Sequence, residues 1–367
     1  MRYRFGFAME HTLGHVTFAR ALQKVVAEDD QVEAEWFLVE PQGRGLAART
    51  PVLSRNYTLR TSATARAMVG RGRRLDALLL HTQTLGLFFW PLMGRVPTVI
   101  STDATPLNID AVGAAYGHAQ AGTLVEGVKR RLTGSLFRRA AWLVPWSEWA
   151  ERSLVHDYAV APERCRVVQP GVDVAWWAAG RAPAPVGDEG TGAGGAEVSV
   201  VFVGGDFERK GGNDLLAAVG ELRRQGLAVR CDLVTRQELP DQPGVRVHRG
   251  LRPGDPALRD LVARADIFAL PTRGDALGLA IVEAMAAGVP VVSTEVAAIP
   301  EVVRPGTGLL VPPGDVAALV QALRHLVVSP GLRRQMGREA HAVAAREHDL
   351  SRSGRALLDL LKAAVRQ

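Results

Sequence analysis

The chain has 367 residues, 47% of them hydrophobic and 22% charged, a composition typical of globular proteins and a length that favours two domains. All but four of its 44 basic residues are arginine, and the net charge of +6 reads either as an anionic partner or, the favoured reading, as the coding bias of a GC-rich genome. Two cysteines exclude a disulfide framework or a Cys-based zinc site, no signal-peptide core opens the chain, and its most apolar stretch is broken by Pro91, Arg95 and Pro97, so a reducing cytoplasmic setting is expected.

Strand-like and helix-like segments alternate along the chain. Tyr3–Met9 predicts a strand, Val16–Glu28 a helix and Ala34–Val39 a second strand. Leu75–Leu80, Thr98–Ser101 and Trp142–Pro145 are further short buried runs. The second half repeats the plan. Val198–Val203 is a strand, Asp214–Gln225 a helix, and Val229–Val234 and Val245–His248 are strands. Ala257–Arg264 is a helix, Ile267–Pro271 a strand, Gly278–Ala287 a helix and Pro290–Ser293 a strand, before two amphipathic helices at Asp315–Val327 and Gly331–Arg346. Such alternation implies parallel sheets covered on both faces. Gly180–Ala196 is rich in Gly, Pro and Ala without an apolar period, and reads as a linker or mobile loop. The expected organisation is an N-terminal Rossmann-like domain over 1–175, a linker over 176–197, a second Rossmann-like domain over 198–345 and a C-terminal helical segment over 346–367. Ligands of such folds sit beyond the carboxyl ends of the strands, which predicts a central cleft faced by two doubly wound α/β domains.

The segment Pro271–Val303 carries the chemistry. A strand ends at Pro271, a polar turn reaches Asp275, and a helix opening at Gly278 carries Glu283. Free N–H groups near Ala276, Leu277 and Gly278 can bind a diphosphate with help from the helix dipole. The two carboxylates can accept hydrogen bonds from sugar and ribose hydroxyls. In VVFVGGDFERKGG, a strand runs into Gly204-Gly205 and then Arg209-Lys210, two cations suited to a diphosphate leaving group.

These segments resemble the signature of retaining glycosyltransferases of family 4 type, the group 1 glycosyl transferases, whose architecture is GT-B. That signature has two glutamates separated by seven residues; Asp275 stands in the place of the first, and Glu283 keeps the second. The resemblance implies that Glu283 holds the donor ribose, Asp275 touches the transferred sugar, and Lys210 and Arg209 bind donor phosphates. Gly14, in HTLGH, matches the glycine loop of the N-terminal domain. Asp103, in VISTDATPLN, takes the place of a histidine common in the family, and SEWAERSL and the PGVD turn match more loosely. His81 and His15 are candidates for the same cleft, and Glu301 is a candidate helix-start carboxylate. The last helix, near Ser351–Arg366, matches one that crosses back to the N-terminal domain in the family.

The resemblance implies a donor that is a nucleotide-diphosphate sugar and an acceptor that is a glycan, lipid or small molecule. No Asp-x-Asp occurs in the chain, which fits a metal-free strategy without a cofactor. Another GT-B enzyme, an epimerase or phosphorylase, and a non-catalytic sugar-nucleotide-binding protein are the alternatives. The basic segment 126–139 reads as a helix with a solvated face, or as a weak peripheral contact with an anionic membrane surface. Nothing in the chain suggests nucleic-acid binding, because base-reading motifs and aromatic-interleaved basic strands are missing.

Overall fold

Eleven strands organise the described residues of the computed structural model, which are 2–42, 56–113, 123–180 and 197–366. The loop read as a linker falls almost wholly at 181–196, outside them. The chain forms two compact units. One is drawn from Met1–Ala111, Ala119–Gly171 and Leu350–Gln367, the other from Val112–His118 and Val172–Asp349.

In the first unit, β1 (Tyr3–Glu10), β2 (Val32–Val39), β3 (Ala77–His81), β4 (Thr98–Thr102) and β5 (Trp142–Pro145) form one parallel sheet in the order β2-β1-β3-β4-β5. Both faces are buried, which explains why these strands read as continuous apolar runs rather than alternating ones. The period of two survives inside them. Leu78 and Leu80 enter one core with Ile100, Leu136 and Phe137, while Leu79 enters the other with Phe5, Phe7 and Val99. That second core is completed by the final helix, Leu350–Val365, whose Leu357, Leu358 and Leu361 are buried in it. Lys362 anchors the same helix by donating to Asp29 at 2.7 Å.

The second unit holds β6 (Val198–Val203), β7 (Val229–Val234), β8 (Val245–His248), β9 (Ile267–Leu270), β10 (Val291–Thr294) and β11 (Gly308–Val311), all parallel, in the order β11-β10-β9-β6-β7-β8. β6 and β9 are neighbours, so the loops leaving their carboxyl ends lie side by side. Helices Gly212–Arg224, Pro256–Ala263, Leu279–Ala286, Val316–Val327 and Pro330–Glu347 belong to this unit. Asp315 caps one of them by accepting from the Ala318 N–H at 2.9 Å.

Two expected positions shift. Gly14 lies in the first turn of the helix Leu13–Ala27, not in the loop before it, because the helix starts three residues earlier than its apolar period indicates. The units divide after Gly171 and after Asp349, and the short helix Val174–Ala178 belongs to the second unit.

Candidate functional site

The carboxyl end of the second sheet brings together the loops that follow β6 and β9. The loop after β6 ends at Gly211, whose φ of +79° is a left-handed conformation that suits glycine. A Cβ there would lie 1.9 Å from the Pro271 carbonyl oxygen, so only glycine lets the two loops meet so closely. Backbone bonds join them further. The Arg273 N–H donates to the Arg209 carbonyl at 2.8 Å, and the Thr272 hydroxyl donates to the same oxygen at 3.2 Å.

This junction places Lys210 against Asp275. Their ion pair spans the two loops, and both side chains are mostly buried. Gly278, with φ +79°, turns the chain into the helix Leu279–Ala286. A Cβ on it would stand 3.5 Å from Asp275 Oδ2, which locates that carboxylate above the helix start. The N–H groups of Ala276, Leu277 and Gly278 donate to no acceptor among the described residues. A cation, an acceptor carboxylate and a row of unpaired donors at a positive helix end therefore share one place.

Glu283 lies one turn further along that helix. Among the described residues its carboxylate has no hydrogen-bond or ion-pair partner, and desolvation at this part-buried position pushes its pKa up to about 8. A group so placed is stabilised by any ligand hydroxyl that donates to it. Gly204 and Gly205 follow β6 at the same end. Gly204 donates to the Val234 carbonyl at 3.0 Å, and the space beside Gly205 is open. Glu301 stands in the short helix Ile299–Val302 after β10.

Arg209 differs from expectation. Its guanidinium is 9% exposed, donates through Nε to Asp206 at 2.9 Å, and donates through Nη1 to the Gly274 carbonyl. These bonds hold the β9 loop, so the residue read as a phosphate ligand is occupied in building the junction. Arg273, which the sequence did not single out, pairs in a fork with Asp214 at 3.0 and 2.8 Å and secures the same loop to the helix after β6.

In the first unit, the other candidates converge at the carboxyl ends of β1, β3 and β4. His15 Nδ1 and His81 Nε2 are 2.9 Å apart, and His15 Nε2 is 4.0 Å from Asp103 Oδ2. His81 stacks on Trp146 with ring centroids 5.1 Å apart. It is fully buried, and burial with the neighbouring His15 holds its pKa well below the ordinary imidazole value. Burial raises the Asp103 carboxyl, and Glu10 raises it further. The sequence missed Glu10. It ends β1, is 6% exposed, and accepts from Tyr57 Oη and from Thr82 Oγ1 at 2.7 Å. Among the described residues, no cluster of three or more His, Cys, Asp or Glu could hold a metal ion.

Two family models match the chain. One, described as Glycosyl transferases group 1, covers residues 197–329. The other, described as Glycosyltransferase Family 4, covers residues 19–176. Among curated relatives, the MMP alpha-(1->4)-mannosyltransferase of Mycolicibacterium hassiacum is 31% identical over 214 residues, 54% of this chain and 48% of that protein. The D-inositol 3-phosphate glycosyltransferase of Saccharomonospora viridis is 31% identical over 231 residues, 58% of this chain and 53% of that protein. The chain spans about half the length of the curated relatives it matches. Among solved structures, sucrose-phosphate synthase from Thermosynechococcus elongatus has a TM-score of 0.75 at 15% identity, covering 99% of both chains. Anabaena HepE in complex with UDP and glucose has a TM-score of 0.70 at 15% identity, covering 99% of this chain and 100% of that one. These structural likenesses show the fold.

Proposed function

The chain belongs to the group 1 glycosyltransferases of GT-B fold, and from that premise we propose that it transfers a sugar from a nucleotide-diphosphate donor to a hydroxyl acceptor. The observation that carries this reading is the Lys210–Asp275 pair beside the unpaired N–H groups of Ala276, Leu277 and Gly278. The donor diphosphate replaces Asp275 as the partner of Lys210 and lies across the helix start. Asp275 is thereby released to accept from hydroxyls of the transferred sugar, and Glu283 accepts from the ribose. As the bond between the sugar C1 and the diphosphate oxygen breaks, charge grows on the leaving group. Lys210 and the helix N–H groups are already oriented to stabilise that charge. The acceptor hydroxyl attacks on the face the diphosphate leaves, its proton passes to a phosphate oxygen, and the anomeric configuration is retained. Positive charge supplied by the protein does the work of a divalent ion in this reading, and no cofactor takes part. The first unit takes the acceptor, with Asp103 and His15 facing it.

The same reading places the protein in the cytoplasm. The helix Thr123–Arg139 adds a peripheral contact with an anionic membrane surface: Val128 is 57% exposed and Leu132 36% exposed, beside Lys129, Arg130 and Arg131, while Leu136 and Phe137 are buried in the core. No helix among the described residues is long and apolar enough to cross a membrane. The decisive experiment supplies the purified protein with a panel of nucleotide sugars and measures release of nucleoside diphosphate. Release that is lost in both Lys210→Ala and Glu283→Ala supports the proposal. Release unchanged in both variants contradicts it.

A further inference from the structure

Among the described residues, the carboxyl end of the first sheet presents two carboxylates with no lysine or arginine bound to either. β1 ends in Glu10, β4 leads into Asp103, and β3, ending in His81, lies between them. Glu10 is held by hydroxyls alone: Tyr57 Oη, Thr82 Oγ1 at 2.7 Å and Thr12 Oγ1 at 3.4 Å. His15 lies 4.0 Å from Asp103 and is in turn bonded to the buried His81. Arg60 lies 5.9 Å from the Tyr57 ring, with its Nε donating to the Pro41 carbonyl at 2.8 Å. This poverty of cations occurs in a chain with forty-four basic residues and a net charge of +6.

The electrostatics select among ligands. A buried carboxylate held by neutral hydroxyls keeps its full negative field, because no countercharge cancels it. The Glu10 charge already disfavours ionisation of Asp103. A phosphate or carboxylate entering here meets like charge and, among the described residues, none of the guanidinium or ammonium groups that phosphate sites use. A hydroxyl meets acceptors, and an ammonium meets acceptors and opposite charge together.

Resting on the reading that the first unit binds the acceptor, we propose that this site takes a hydroxyl-rich group bearing no phosphate or carboxylate, and holds it most tightly when it carries an ammonium, as an amino sugar does. The acceptor would then differ in charge from that of the relatives named for D-inositol 3-phosphate. Asp103 meets the ligand, and Glu10 sets the field behind it.

The test uses the full chain and three probes that share one pyranose scaffold and differ in charge: glucosamine, glucose and glucose 6-phosphate. UDP is titrated first by calorimetry and then kept at saturation, so that the cationic loops of the second unit are filled. Binding of the three probes is then measured by calorimetry. Glucosamine is expected to bind at least tenfold tighter than glucose 6-phosphate, with glucose between them. That spread is expected to shrink to threefold or less in Asp103→Asn. Glu10→Gln, which keeps its hydroxyl partners, is the second variant and shrinks the spread in the same direction. Glucose 6-phosphate binding as tightly as glucosamine overturns the inference. So does equal behaviour of all three probes, absence of binding included, or a spread unchanged in both variants. The UDP titration reports on the donor reading separately, so failure of one is distinguishable from failure of the other.

Discussion

The two sheets end in opposite electrostatics. At the carboxyl end of the second, two loops are stitched together so that Lys210 pairs with Asp275 beside unpaired N–H groups, and Glu283, one turn along the helix, has no partner among the described residues. At the carboxyl end of the first, Glu10 and Asp103 are surrounded by hydroxyls, imidazoles and an indole. The same doubly wound architecture supports both. Each sheet offers its strand ends as a platform, and the few residues placed there decide whether an anion or a polyol is welcome.

The sharpest way to break this contrast is to remove the cation. Lys210→Ala is expected to lower kcat/KM for nucleotide-sugar turnover by about 100- to 1000-fold, the scale of losing one oriented group that stabilises developing charge. Steady-state release of nucleoside diphosphate measures it, and a loss below tenfold would remove Lys210 from the site. The next effect lies on the anionic side. Thr82→Val takes a hydroxyl from the buried Glu10 carboxylate, and chemical denaturation should show a loss of about 1–3 kcal/mol. A change near zero would mean that the Thr82 hydroxyl does not hold Glu10.

Gly211→Ala tests the junction itself. The Cβ would be driven into the Pro271 carbonyl oxygen at a left-handed φ, so a stability loss of about 1–3 kcal/mol accompanies weaker donor binding. Wild-type stability with intact binding would show that the loops need not meet.

The last test concerns pH. The Glu283 pKa is raised in the folded state, to about 8 from an ordinary value of 4.5, so folding disfavours its ionised form. Relative to Glu283→Gln, the wild type should therefore lose stability as pH rises from about 4.5 to about 8, and show no further change above that. Parallel denaturation curves for the two proteins across that window would contradict the burial of this carboxylate.

Much of this was legible in the sequence, for physical reasons that also explain the gaps. Trp142–Pro145, Val198–Val203, Val229–Val234 and Val245–His248 read as strands with the bounds the structure gives them, the first two as continuous apolar runs and the last as an alternating edge strand. The helix Tyr57–Val69 was missed because its buried side carries Thr61, Ser62 and Thr64. Their hydroxyls are satisfied by the carbonyls of Tyr57, Leu85 and Arg60, at 2.8, 2.7 and 2.8 Å, and an apolar period cannot register such a face. β11, Gly308–Val311, opens on a glycine and does not read as a strand.

The site divides in the same way. Asp275, Lys210, Gly278 and Glu283 announce themselves because their spacing is local to two loops and one helix. Glu10 does not, since its partners Tyr57 and Thr82 lie 47 and 72 residues away and are ordinary residues by type. Arg209 shows the reverse case. Position beside Lys210 suggested a phosphate ligand, whereas only the fold reveals the Gly274 carbonyl waiting 65 residues downstream.

The central claim is that the loops after β6 and β9 form a diphosphate site whose charge is supplied by Lys210. Calorimetric titration of UDP into the wild type and into Lys210→Ala tests it most directly. The account predicts one site per chain in the wild type and at least tenfold weaker binding in the variant. Equal affinity in the two proteins, or no binding to the wild type, would contradict it.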